Sequence, residues 1–331
     1  MIRRYISLFT ALFILVGMIP SFASAASLDN WSKRSPLMMM DVIYGNGTYM
    51  AVGEGGTILT SSDGTNWTFH GSGTGKYLLA VTYGSDKYVA VGEGGTILAS
   101  SDGVSWTNHT SGTADTLRGV TYGDGKYVAV GDNGTILTSS DGASWTNSTS
   151  GITNFLYSVT YGDGKYVAVG TNGTILTSSD GASWTSSTSD TANILHGVTH
   201  GDGTYVAVGD NGTILTSSDG ASWMGTTSGT TNLLSDVTYG NGMYVAVGAD
   251  GTILTSSDGA NWTSSTSGIT NDLYGVTYGN GKYVAVGLGG AKLTSSDGVN
   301  WTNQSWDTLS QLHSITYGNG KYVAVGAMER Y

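Results

Sequence analysis

A repeat of 39 residues governs what this chain can fold into. The string SSDGxxW places its Asp at Asp63, Asp102, Asp141, Asp180, Asp219, Asp258 and Asp297. A second string, close to YGxGxYVAVG, begins at Tyr44, Tyr83, Tyr122, Tyr161, His200, Tyr239, Tyr278 and Tyr317. A period of this length points to a ring or stack of small sheets, none of which can bury its faces alone. Positions constant from repeat to repeat build the scaffold. Positions that vary are where an individual function can sit.

One repeat reads as four strands. Leu117 to Tyr122 is a short β-rich run, followed by Gly123-Asp124-Gly125. Asp-Gly is a tight-hairpin signal because both central residues tolerate positive φ. Lys126 to Val130 is the second strand, Thr135 to Ser139 the third and Trp145 to Thr149 the fourth. Tyr127 and Ala129 point one way, Val128 and Val130 the other, so both faces are apolar. A sheet buried on both faces sits between neighbours. The expected fold is all-β: a single β-propeller of four-stranded antiparallel blades.

The first and second strands recur eight times. The Trp strand also recurs eight times if Trp31 is included, but the complete third strand recurs seven times. The expectation is therefore eight blades, with the N-terminal strand around Trp31 closing the last and Met328 to Tyr331 forming a stub of its third strand. Such closure hides two sheet edges. Seven blades with a redundant terminal piece is the alternative.

SSDGxxW resembles the Asp-box of the bacterial neuraminidase (BNR) repeat, S-x-D-x-G-x-x-W, with one residue fewer between Asp and Trp. The blade is also similar to those of sialidase-like and photosystem-assembly-factor-like propellers. The resemblance covers nearly all of residues 26–331. It implies a structural role for the seven Asp residues at the periphery. It carries over no sialidase chemistry: an arginine triad is required, and beyond the first 25 residues only Arg34, Arg118 and Arg330 are present.

Residues 1–25 read as a secretory signal. Arg3 and Arg4 give the positive start, Leu8 to Ile19 the apolar run and Ala23-Ser24-Ala25 the small-residue cleavage site. The run is short for a membrane span, which needs ~20 residues. Residues 26–331 then form the propeller, secreted or held in the cell envelope as a monomer, with no membrane insertion after cleavage. The chain has no Cys, so its stability outside the cell does not rest on disulfides. Its formal charge of −11 becomes −13 on losing Arg3 and Arg4, which argues against nucleic acid as a partner.

The informative variation lies around the Leu that opens each first strand (Met39 in the first repeat, then Leu78 and onward every 39 residues). The preceding residue is Met38, Tyr77, Thr116, Phe155, Ile194, Leu233, Asp272 or Gln311. The following one is Met40, Leu79, Arg118, Tyr157, His196, Ser235, Tyr274 or His313. The turn between strands two and three also varies and lies at the same end of an up-and-down sheet. First strands line a propeller's channel, so these residues ring its mouth. Tyr77, Arg118, Phe155, Tyr157, His196, Tyr274 and His313 are the candidate ligand-binding residues, because flat rings beside polar groups suit a sugar or a peptide.

The five His residues lack close metal-ligand spacing, so no metal and no cofactor is expected. His200 stands where other repeats have Tyr and reads as a packing substitute. Three function classes follow. The leading one is a secreted non-catalytic binding module for a glycan, a cell-wall polymer or a protein. The second is a glycoside hydrolase or lyase, which needs two carboxylates at ~5–10 Å. Its candidates are Asp41, Glu54, Glu93, Asp115, Asp236, Asp272 and Asp307, with Asp236 and Asp272 the best pair. The third is a scaffold without a small ligand.

Overall fold

The computed structural model describes residues 37–148, 150–305 and 310–328. They form seven antiparallel sheets of four strands and one sheet of two. The four-stranded blades 1 to 7 begin at Met39, Leu78, Leu117, Leu156, Leu195, Leu234 and Leu273. Blade 3 stands for the set: Leu117–Gly123, Lys126–Gly131, Ile136–Ser139 and Thr146–Ser148. Its first hairpin turns at Asp124 and Gly125, with φ of 43° and 75°. Both are in the left-handed region, as a two-residue hairpin matched to the strand twist requires.

The second strand carries the core. Tyr127, Val128, Ala129 and Val130 are all fully buried. Tyr127 and Ala129 pack with Val89, Val91 and Ile97 of blade 2, while Val128 and Val130 pack with Leu156, Tyr166 and Ala168 of blade 4. Each blade thus buries one face on each neighbour. At ~1.5–3 kcal/mol per fully buried large apolar side chain, interblade contact is the main source of stability.

The innermost strands contact one another in succession, and the inner strand of the two-stranded sheet, Ser310–Gly318, touches those of both blade 7 and blade 1. A tyrosine staples each step. The Tyr127 hydroxyl donates to the Gly84 carbonyl of the preceding blade, and Tyr88, Tyr166, Tyr205, Tyr244 and Tyr283 repeat the bond. Tyr322 donates to Gly279, and Tyr49 of blade 1 donates to Gly318, which closes the circle. A Cβ on Gly84 would lie 2.1 Å from the Tyr122 ring, so glycine is required where the neighbouring tyrosine packs.

The expectation of eight four-stranded blades is corrected: the described residues form seven. Among the described residues the last repeat supplies the hairpin Ser310–Gly318 and Lys321–Met328, which fills the place between blades 7 and 1. The reason lies in one turn. In every full blade the second strand ends in a short 3-10 turn whose middle residue is left-handed, such as Gly55 (φ 62°) or Asn133 (φ 54°), followed by a left-handed Gly. After Gly326 the chain reads Ala327-Met328-Glu329-Arg330, with neither Asn nor Gly to turn on. The strand runs straight instead, and Met328 pairs with Ser310. Met328 therefore ends a second strand rather than starting a third. Trp31, Arg34, Asp307, Arg330 and the leader at residues 1–25 lie outside the described residues.

Candidate functional site

The variable positions do share one end of the blades. The N–H that opens each 3-10 turn donates to the carbonyl of the residue before the Leu: Glu93 to Tyr77 at 3.0 Å, Asp132 to Thr116 at 2.9 Å, Thr171 to Phe155 at 2.9 Å. The residue after the Leu has a further property. In blade 3, Leu117 pairs with Gly131 but Gly119 pairs with Val130, so Arg118 is the extra residue of a β-bulge. Tyr157, His196, Tyr274 and His313 occupy the same register shift. A bulge frees a residue from the ladder and re-aims its side chain.

Three blades join through these side chains. Arg118 Nε lies 2.5 Å from Asp132 Oδ1, and its second nitrogen Nη2 donates to Oδ2 at 3.2 Å. The guanidinium also sits over two rings of blade 4, 5.7 Å from the Phe155 centroid and 5.3 Å from that of Tyr157. Tyr157 meets His196 of blade 5 at 5.9 Å, and His196 Nε2 lies 2.8 Å from Asp210 Oδ1. The result is a continuous arc of carboxylate, guanidinium, aromatic rings, imidazole and carboxylate. Tyr274 and His313 form a second pair, stacked at 5.9 Å with 22° between planes. His313 Nε2 is buried without a hydrogen-bond partner, and burial holds its pKa down. Tyr77 stands apart from both groups. The charge of Glu54 raises its pKa, and its N–H donates to Glu93 Oε2 at 3.2 Å.

Two carboxylates line the inner strands two residues beyond the Leu, where other repeats carry Ala, Gly or Ser. Asp41 accepts the Val81 N–H of blade 2 at 3.0 Å and the Ser314 hydroxyl at 2.8 Å. Asp236 accepts the Val276 N–H of blade 7 at 2.9 Å. Burial pushes both pKa values up. Asp236 reaches about 6, to which the Asp41 charge contributes. These bridges between blades were not foreseen from sequence, although an acid among small residues at one repeat position was the available signal. Of the hydrolase candidates, Asp272 instead accepts the Asp250 N–H at 3.0 Å, and Asp115 holds Asn133 and Thr135.

The opposite end is uniform. Asp141 Oδ1 accepts the N–H groups of Ala143 and Ser144 at 2.8 and 2.7 Å and the Ser139 hydroxyl at 3.0 Å. Trp145 Nε1 donates to Gly142 O at 3.1 Å. These donors hold Asp141 well below the usual carboxylate range, and Asp102 and Asp219 at about 2. The carboxylates are taken up by their own turns. His200 packs against Tyr205 at 4.5 Å, as Tyr122 does against Tyr127 at 4.7 Å, which agrees with its reading as a packing substitute. Among the described residues no three His, Cys, Asp or Glu side chains converge on a possible metal position.

No family model matches this chain, and no curated protein matches it. Solved structures do. The computationally designed Ika8 protein superposes with a TM-score of 0.73 at 12% identity, over 88% of this chain and 94% of its own. YCF48 from Cyanidioschyzon merolae gives 0.59 at 16% identity, over 77% and 94%. YCF48 bound to a D1 peptide gives 0.58 at 18%, over 74% and 87%. With the sheet topology, these similarities define the chain as a β-propeller.

Proposed function

We propose that this propeller is an exported, non-catalytic binding module that takes an extended segment of a protein partner across its channel mouth. The observation that carries the reading is the arc from Asp132 through Arg118, Phe155 and Tyr157 to His196 and Asp210. Aromatic and Arg side chains with fixed partners are the groups that anchor interfaces. Arg118, Tyr157 and His196 are held on strand bulges, so little ordering is needed on binding. A structural neighbour, YCF48, has been solved with a peptide, which supports a protein partner. A glycan is the second reading, favoured by the Tyr274–His313 stack. The SSDG turns, with their Asp accepting local N–H groups, support a variant of the BNR repeat used here as scaffold.

The test is a peptide-array and glycan-array screen of the purified protein beside the variant carrying Arg118→Ala, Tyr157→Ala and Tyr274→Ala. The expected result is a ligand bound by the parent and lost, by at least about tenfold, in a variant with unchanged circular dichroism. Binding that survives the triple change places the site at the SSDG end and sinks the reading. An absence of any ligand on either array favours the scaffold role.

A further inference from the structure

The mouth has an apolar side and an acidic surround. Phe155, Ile194 and Leu233 stand just before the Leu in three consecutive blades. Phe155 and Leu233 are 38% and 37% exposed, among the few large apolar side chains left open to solvent. Apolar groups gathered at one place on a surface mark contact sites, whereas scattered ones do not. Around them lie Glu54, Glu93, Asp210, Asp250 and Asp272, all on the 3-10 turns or strand starts of this end. Among the described residues the solvent-accessible Lys and Arg side chains there are Lys76 and Arg118, and Arg118 is already paired with Asp132. Of the other described lysines, Lys87, Lys126, Lys165 and Lys321 serve the opposite end, each donating to the carbonyl of an SSDG aspartate, and Lys292 is buried in the third strand of blade 7. Deeper in the channel stand the carboxylates of Asp41 and Asp236.

From this distribution we infer that the mouth is a docking surface for a basic peptide segment carrying an apolar anchor. The inference rests on the binding reading above and gives it a partner chemistry. Leu or Phe side chains of the partner cover Phe155, Ile194 and Leu233. Its Lys and Arg side chains meet the surrounding carboxylates. An acidic peptide would face this field unpaired, which is how electrostatic complementarity rejects wrong partners.

The experiment titrates the full chain with three synthetic peptides: one of alternating Lys and Leu or Phe, one with Glu for every Lys, and one with Ser for every Leu or Phe. Fluorescence anisotropy is read at about 50 mM and 300 mM salt, where screening of exposed charges differs by more than twofold in Debye length. The first peptide is expected to bind at least about tenfold more tightly than either other, and to weaken in high salt. Glu54→Gln with Glu93→Gln and Asp250→Asn should weaken it about tenfold, and Phe155→Ser with Leu233→Ser likewise. Equal or tighter binding of the Glu peptide overturns the inference, as does binding unmoved by the carboxylate changes. If a neutral peptide or a glycan binds in an Arg118-dependent way while the basic peptide does not, the charge inference falls and the binding reading stands. If no ligand binds at the mouth, both fall.

Discussion

The two ends of each blade are made of the same strands yet obey different rules. At the SSDG end, geometry repeats almost without change. The paired tyrosine rings stay between 4.6 and 4.8 Å apart from Tyr44–Tyr49 to Tyr317–Tyr322, and His200 fits the same slot. The Tyr, Trp and Asp side chains there answer to the neighbouring blade or to their own turn. At the mouth, each strand instead carries a bulged residue, and its chemistry ranges from Met40 to Arg118 to His313. Interblade packing fixes one end and leaves the other available. The lesson is that a near-identical repeat can still hold one individual surface, provided the ladder is interrupted where that surface lies.

The contrast can be broken most severely at the constant end. Gly84→Ala places a methyl carbon 2.1 Å from the nearest atom of the Tyr122 ring, so the blade interface must shift. We predict a loss of more than about 3 kcal/mol, read as a large fall in denaturation midpoint. A fall below about 1 kcal/mol would show that the interface yields easily.

A second prediction uses pH, because the ends titrate in opposite senses. The SSDG aspartates have depressed folded pKa values, so their stabilisation is present above the ordinary Asp value of 3.8 and is lost as pH falls below it. Asp236 is raised from 3.8 to about 6, so the folded state holds the extra proton and stability falls as pH rises through that window. Asp236→Asn removes this dependence. Its stability relative to the parent should improve by up to about 2–3 kcal/mol between pH 4 and pH 7.5. A difference that stays flat over that range would refute the titration.

The smallest effect is expected at the mouth. Arg118→Ala removes a partly exposed ion pair and two cation–π contacts, so it should cost no more than about 1 kcal/mol while weakening ligand capture. A cost several times larger would mean that the arc is a structural tie between blades 3, 4 and 5.

Much of this was legible in the sequence. The repeat gave away the strands, the apolar second strand and the shared end of the variable residues. The blade count failed where it depended on a single turn: the absence of Asn or Gly after Gly326 mattered more than the number of first strands. The bulge was hidden because a strict two-residue alternation carries no sign of an inserted residue. The Arg118–Asp132 and His196–Asp210 partners had a visible cue. Both basic residues stand 14 residues before an Asp, and blades without a base at that position place Glu, Thr, Ala or Leu there instead. The Asp41 and Asp236 bridges needed three dimensions, because each reaches an N–H 40 residues away.

The tyrosine that closes the circle is chemically the same as the others, but its history during folding is different. Tyr127 must find a carbonyl 43 residues away, whereas Tyr49 must find one 269 residues away. Closing the longer loop costs about 1.6 kcal/mol more in chain entropy. Identical bonds therefore have unequal net worth. The meeting of first and last repeats must wait until residue 318 has been made, and it is the natural place for the ring to part.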